Sequence, residues 1–193
     1  QGFTITTEVC THYYAQKREY PAGVKEQVTE ALKKLESCLG LEFGSEAKPL
    51  LVSVRSGARA SMPGMMDTIL NLGLNDKTVK ALAAQSKNAR FAYDSYRRFI
   101  QMYSDVVLGM KRDAFDEALD EARGEVAKTK GFDPRLTYGE ELKRRVPDRE
   151  LGAPELEKLV AHYKKLVQKH TGTPFPPAVL HQQWRASATG PPS

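Results

Sequence analysis

The stretch Leu50-Leu51-Val52-Ser53-Val54-Arg55-Ser56-Gly57-Ala58-Arg59-Ala60-Ser61-Met62-Pro63-Gly64-Met65-Met66-Asp67-Thr68 turns an apolar strand straight into a loop carrying cations, hydroxyls and glycines. Leu50 to Val54 is short, apolar and partly β-branched, and it is bounded by Pro49, so it reads as a buried strand. Ligands in open α/β architectures sit beyond the carboxyl ends of strands, which is where this loop begins. Gly57 and Gly64 can bring main-chain N–H groups close to an anion. Arg55 and Arg59 add planar forks that hold phosphate oxygens two at a time, and Ser56 and Ser61 add hydroxyl donors. Together these groups suit a nucleotide polyphosphate. The bland alternative is a surface turn with solvated arginines and with Met65 and Met66 as core filler. Neither GxxxxGK[ST] nor GxGxxG occurs here to decide between them.

The same stretch closely resembles the N-terminal ATP-grasp nucleotide-binding domain of the pyruvate, phosphate dikinase family. The likeness continues through Ile69-Leu70-Asn71-Leu72-Gly73-Leu74-Asn75-Asp76 and resumes at Arg90-Phe91-Ala92-Tyr93-Asp94-Ser95-Tyr96-Arg97-Arg98-Phe99. It also takes in Gln1-Gly2-Phe3-Thr4-Ile5-Thr6-Thr7-Glu8, and so covers most of residues 1 to about 107. Phosphoenolpyruvate synthases share a strand followed by Val-Arg-Ser but lack the Ser-Met-Pro-Gly-Met-Met-Asp-Thr continuation, which makes the dikinases the nearer family.

The resemblance implies an enzyme that converts ATP, phosphate and pyruvate into AMP, diphosphate and phosphoenolpyruvate, through a phosphohistidine on a separate domain. It implies that Arg55 and Arg98 contact phosphates, with Arg59 as a third. Ser56, Gly57, Ser61, Gly64, Met65, Asp67 and Thr68 would complete the ATP-phosphate loop. It further implies ATP and Mg2+, with the metal ligands expected outside this chain, and as partners the phosphohistidine domain and the pyruvate-binding barrel of a homodimeric full-length enzyme. The family pattern has a lysine-bearing glycine segment before Gln1 and a second ATP-grasp half after the region read here. A truncated or misread gene end is therefore expected behind the Pro- and Ser-rich tail, and the isolated chain is expected to be inactive. The alternatives are a structural or interaction module that binds no nucleotide, or the ATP-grasp part of a phosphoenolpyruvate synthase or another dikinase.

Composition is that of a globular protein: 193 residues, 40% hydrophobic and 27% charged. No apolar run approaches the roughly 20 residues of a membrane span. A cytoplasmic location is expected, with an organelle such as a plastid open. Cys10 and Cys38 fit no CxxC pattern and read as packed thiols. The net charge of +5 lies wholly in residues 143–193, which hold 9 Lys or Arg against 4 Asp or Glu. With little aromatic interleaving, a solvated helix face explains that excess better than nucleic acid does. None of His12, His162, His170 and His181 has a cysteine or carboxylate at ligand spacing.

The fold class is read as α+β: a partial ATP-grasp domain with a small α/β part (1–74), a mostly helical subdomain (75–170) and a disordered tail (171–193). Gly2 to Thr6 alternates like a strand, and Ala22 to Leu39 reads as a helix with a stripe of Val24, Val28, Ala31 or Leu32, Leu35 and Leu39 stopped by Gly40. Met66 to Leu72 reads as the start of another helix. Apolar spacing places further helices around Val79 and Leu82, over Tyr96 to Val107, over Phe115 to Val126 and over Leu156 to Val167, with the aromatic stripes as core. On the longest of these, Arg97 and Arg98 point about 100° apart. Arg98 shares a face with Asp94, Gln101 and Asp105, so spacing alone leaves it either in an ion pair or free for a ligand.

Overall fold

The computed structural model describes residues 1–17, 19–56, 68–133 and 138–175. In chain order these form α1 (Thr7–Ala15), α2 (Val24–Leu39), β1 (Glu42–Phe43), β2 (Pro49–Leu50), β3 (Val52–Arg55), β4 (Thr68–Leu72), α3 (Thr78–Ser86), α4 (Ala89–Val106), α5 (Asp113–Thr129), α6 (Gly139–Arg145), a 3₁₀ turn at Asp148–Glu150, and α7 (Ala153–Thr171). The class is mixed α+β, dominated by helix.

Helix α2 begins after Gly23 and buries Val24, Val28, Leu32 and Leu35, as the 3.6-residue stripe requires. Leu39 at its last position is exposed instead, because the chain turns away at Gly40, whose left-handed φ of 64° ends the helix. The Phe43 N–H donates to the Glu36 carboxylate at 2.8 Å and ties β1 back to α2.

Three sequence expectations fail locally. Gly2 to Thr6 joins no sheet among the described residues; a strand is stable only with a neighbour to share its hydrogen bonds, and here Thr6 is the extended residue that opens α1. Leu50 to Val54 is divided between β2, paired parallel to β1, and β3, paired antiparallel to β4. Strand β3 is half-buried on one face only, with Val52 and Val54 inward and Ser53 and Arg55 outward. Met66 to Leu72 yields no helix in its described part, which is β4.

The cause of this last misreading is visible in the register. Val52 pairs with Leu72 but Val54 pairs with Ile69, so three steps on β4 oppose two on β3. Asn71 takes up the extra residue at φ 59°. Such a bulge puts Ile69 and Leu72 on one face at a spacing of three, which mimics a helical stripe.

The main core joins both parts of the chain. Ile69 and Leu72 of β4 and Leu74 cluster with Tyr96, Phe99, Ile100 and Tyr103 of α4, Phe115 of α5, and Leu156, Leu159, Val160, Tyr163 and Val167 of α7. Tyr163 packs edge-on against Phe115 with centroids 4.9 Å apart, and its hydroxyl donates to the Phe115 carbonyl at 2.9 Å. Phe175 turns back beyond α7 to sit edge-on against Phe99 and Tyr103 at 5.8 and 5.6 Å. The aromatic stripes are thus core. The thiols are not: Cys10 and Cys38 are both free and exposed, each lying off the buried face of its helix.

Candidate functional site

The loop that opened the sequence reading starts and ends on one hairpin. Arg55 closes β3 directly opposite Thr68, which opens β4, so the two ends of the loop are Cα partners. The site is therefore a hairpin tip; the rule for the carboxyl ends of parallel strands does not apply to it. Gly57, Arg59, Ser61, Gly64, Met65 and Asp67 lie outside the described residues. Arg55 and Ser56 are exposed and Thr68 is half-buried. Among the described residues, Arg55 has no ion-pair partner.

Below the tip, the run Gly73 to Thr78 locks the hairpin to α3. The Asn75 side-chain oxygen accepts from the Lys77 and Thr78 N–H groups at 2.8 and 2.9 Å. The Thr78 hydroxyl accepts from the Asn75 N–H at 2.8 Å and donates to the Gly73 carbonyl at 2.9 Å. This reciprocal exchange satisfies the first turn of the helix. Gly73 has φ 116°, and a Cβ there would meet the Leu50 carbonyl oxygen at 2.8 Å, so only glycine fits.

Arg98 occupies a different setting. Helix α4 packs on β4, α3 and α7 and carries Arg97 inward and Arg98 outward, with side chains 3% and 56% exposed. Asp94 serves both: its Oδ1 accepts from Arg97 Nη2 at 2.6 Å and its Oδ2 from Arg98 Nε at 3.0 Å. Of the two ion pairs open to Arg98 by spacing, the Asp94 one forms; Asp105 pairs with Arg112.

Sequence reasoning missed the hub of this network, Asp148. From the 3₁₀ turn its carboxylate takes Arg97 Nη2 at 3.0 Å, stands 3.6 Å from Arg98 Nη2, and pairs with Arg123 of α5, which also pairs with Asp120. Its carbonyl accepts from Arg90 Nη2 at 2.6 Å, while Arg90 Nε donates to the Leu151 carbonyl at 3.0 Å. Burial pushes the Asp148 carboxyl up, but the Arg123 hydrogen bond and the charges of Arg97, Arg123 and Arg98 outweigh it and hold the group below the usual carboxylate range. A signal was present in the sequence. Arg97 sits three residues from buried Ile100, and Arg123 four residues from both buried Leu119 and buried Ala127, and an arginine on a buried face requires a carboxylate.

A shallow cleft of about 250 Å³ is lined by Asp76, Tyr93, Tyr96, Glu157 and Lys164. Most of its polar groups engage one another: Tyr96 donates to Asp76 at 3.2 Å, Tyr93 to Glu157 at 3.1 Å, and Lys164 pairs with Asp76. Among the described residues, no group of three His, Cys, Asp or Glu could hold a metal ion, and no helix is long and apolar enough to cross a membrane.

An α+β domain with an arginine at a hairpin tip and a guanidinium–carboxylate network on its helices is of the class of AMP/ATP-binding domains, since residues 14–105, which include both features' first arginines, match a family model of that description. The model is that of pyruvate phosphate dikinase, and the chain belongs to this family. It is 45% identical over 185 residues to pyruvate, phosphate dikinase of Rhizobium meliloti (strain 1021), covering 96% of this chain and 19% of that protein. It is 52% identical over 175 residues to the enzyme of the same name from Giardia intestinalis (91% and 18%) and 56% identical over 137 residues to that of Clostridium symbiosum (71% and 15%). The chain thus spans about a fifth or less of the length of these relatives.

Proposed function

We propose that this chain is the ATP-binding part of a pyruvate, phosphate dikinase of ATP-grasp architecture, with the hairpin tip from Arg55 to Thr68 as its polyphosphate loop and Arg98 as a second phosphate contact. The observation that carries this is the exposed Arg55, without an ion-pair partner among the described residues, at the base of a loop inside the matched AMP/ATP-binding region. Phosphoryl transfer asks a protein mainly for position and charge neutralisation, because negative charge spreads over the transferred oxygens. Fixed guanidinium groups meet that demand without covalent chemistry. The full reaction, from ATP, pyruvate and phosphate to AMP, phosphoenolpyruvate and diphosphate, runs through a phosphohistidine domain and a pyruvate site on other parts of the enzyme. Of the loop residues, Ser56, Gly57, Arg59, Ser61, Gly64, Met65, Asp67 and Thr68 are assigned to the phosphates with Arg55. The described residues do not fit a magnesium ion, since the hairpin end offers guanidinium and hydroxyl groups and no carboxylate set.

Calorimetric titration of the full chain with ATP and magnesium tests the assignment. Charge-assisted hydrogen bonds are worth about 1.5–3 kcal/mol, so Arg55→Ala should raise the ATP dissociation constant about ten- to hundredfold with little change in melting temperature. Unchanged affinity in the folded variant, or no ATP binding by the unaltered chain, refutes it.

A further inference from the structure

We infer that Asp148 is a positioning residue for Arg98, fixing one edge of its guanidinium so that the other edge is presented to an anion; the inference rests on the assignment of Arg98 to phosphate. The geometry is one-sided. Arg98 places Nε on Asp94 at 3.0 Å and Nη2 toward Asp148 at 3.6 Å, which turns the Nη1 side of the fork away from both carboxylates. The side chain is 56% exposed even so. By contrast Arg97 and Arg123, at 3% and 10%, are enclosed and pair with Asp94, Asp120 and Asp148.

Charge points the same way. The network sets four arginines, 90, 97, 98 and 123, against three aspartates, 94, 120 and 148, so one positive charge is left over. The only one of the four on the open side of its helix with both a carboxylate grip and more than half its surface free is Arg98. Asp94 alone would not fix it, because an i,i+4 pair on one helix leaves the long side chain free to swing. Asp148 comes from 50 residues further along the chain and is itself held by Arg123 and, through its carbonyl, by Arg90. It therefore fixes Arg98 relative to α5 and to the turn before α7, not merely to its own helix. A guanidinium held this way loses less freedom on binding an anion.

The test is a double-mutant cycle on ATP affinity in the full chain, with Arg98→Ala, Asp148→Asn and the pair, each checked for folding by its melting curve. Arg98→Ala should weaken ATP binding by about tenfold or more, and Asp148→Asn by about threefold to tenfold. In the Arg98→Ala background, Asp148→Asn should add nothing. Equal losses on both backgrounds, or none from Asp148→Asn while Arg98→Ala is harmful, overturn the positioning role. An unchanged affinity in Arg98→Ala instead overturns the phosphate assignment beneath it. Because Asp148 also serves buried Arg97 and Arg123, Asp148→Asn can lose its fold; Asp148→Glu, which keeps the charge and shifts the oxygens by one methylene, then takes its place, with the same dependence on Arg98 expected and the same outcomes decisive.

Discussion

Replacing Gly73 with alanine probes the joint between the hairpin and α3. The backbone there has φ 116°, a region L-residues occupy only under strain, at a cost of order 1–3 kcal/mol. The new Cβ would also lie 2.8 Å from the Leu50 carbonyl oxygen, 3.2 Å from Phe43 Cε2 and 3.3 Å from Leu51 Cδ2. The side chains can yield by a few tenths of an ångström, but the carbonyl belongs to the backbone of β2, so relief requires moving a strand. Overpacking of this kind costs typically 1–3 kcal/mol. Reduced freedom of the unfolded chain returns at most about 1 kcal/mol. The net expectation is a loss of about 1–5 kcal/mol, or roughly 2–20 °C in melting temperature for a chain of this size. Thermal and urea unfolding followed by far-ultraviolet circular dichroism measure it. A Gly73→Ala variant as stable as the parent would show that neither the φ value nor the Leu50 contact constrains this position.

Two further outcomes follow from burial. Burial pushes the Tyr103 and Tyr163 hydroxyls up to about 12, partly opposed at Tyr163 by Arg97. A raised folded value contributes stability below the ordinary value of 10.0 that is lost as pH rises toward 12, so these two phenols should ionise late, near pH 12 or with unfolding. Absorbance at 295 nm would report it, and full ionisation of all eight tyrosines near pH 10 in the folded chain would contradict it. Cys10 and Cys38 are exposed and free, so a thiol reagent should label both in the native protein without denaturant. Labelling that waits for unfolding would place them in the interior after all.

What the sequence disclosed and what it hid divide along physical lines. Helices α4, α5 and α7 were legible because Tyr96, Phe99, Ile100 and Tyr103, then Phe115 and Leu119, then Leu156, Leu159, Val160, Tyr163 and Val167 repeat at helical spacing and do fill one core. Strand β4 was illegible because the bulge at Asn71 replaces the strand period of two by a step of three. Helix α6 was missed because it buries only Leu142, and seven residues give periodicity too little to work on. Local spacing sets Arg97 and Arg123 on buried faces but does not name Asp148 as the carboxylate that answers them. Its partners lie 25 to 58 residues away along the chain, and only folding brings them together. The chemistry of the Arg55 to Thr68 run singles it out in the sequence, but the position of its two ends on an antiparallel pair is a product of register that no single residue announces.

That register has a consequence for how the site can change. The bulge allows one alignment of β3 on β4, since slipping by a residue would drive Asn71 inward and Ile69 or Leu72 outward. Arg55 and Thr68 are thereby pinned as a fixed socket, and the twelve residues from Ser56 to Asp67 plug into it at both ends. A change in those pairings would therefore move both ends of the segment together.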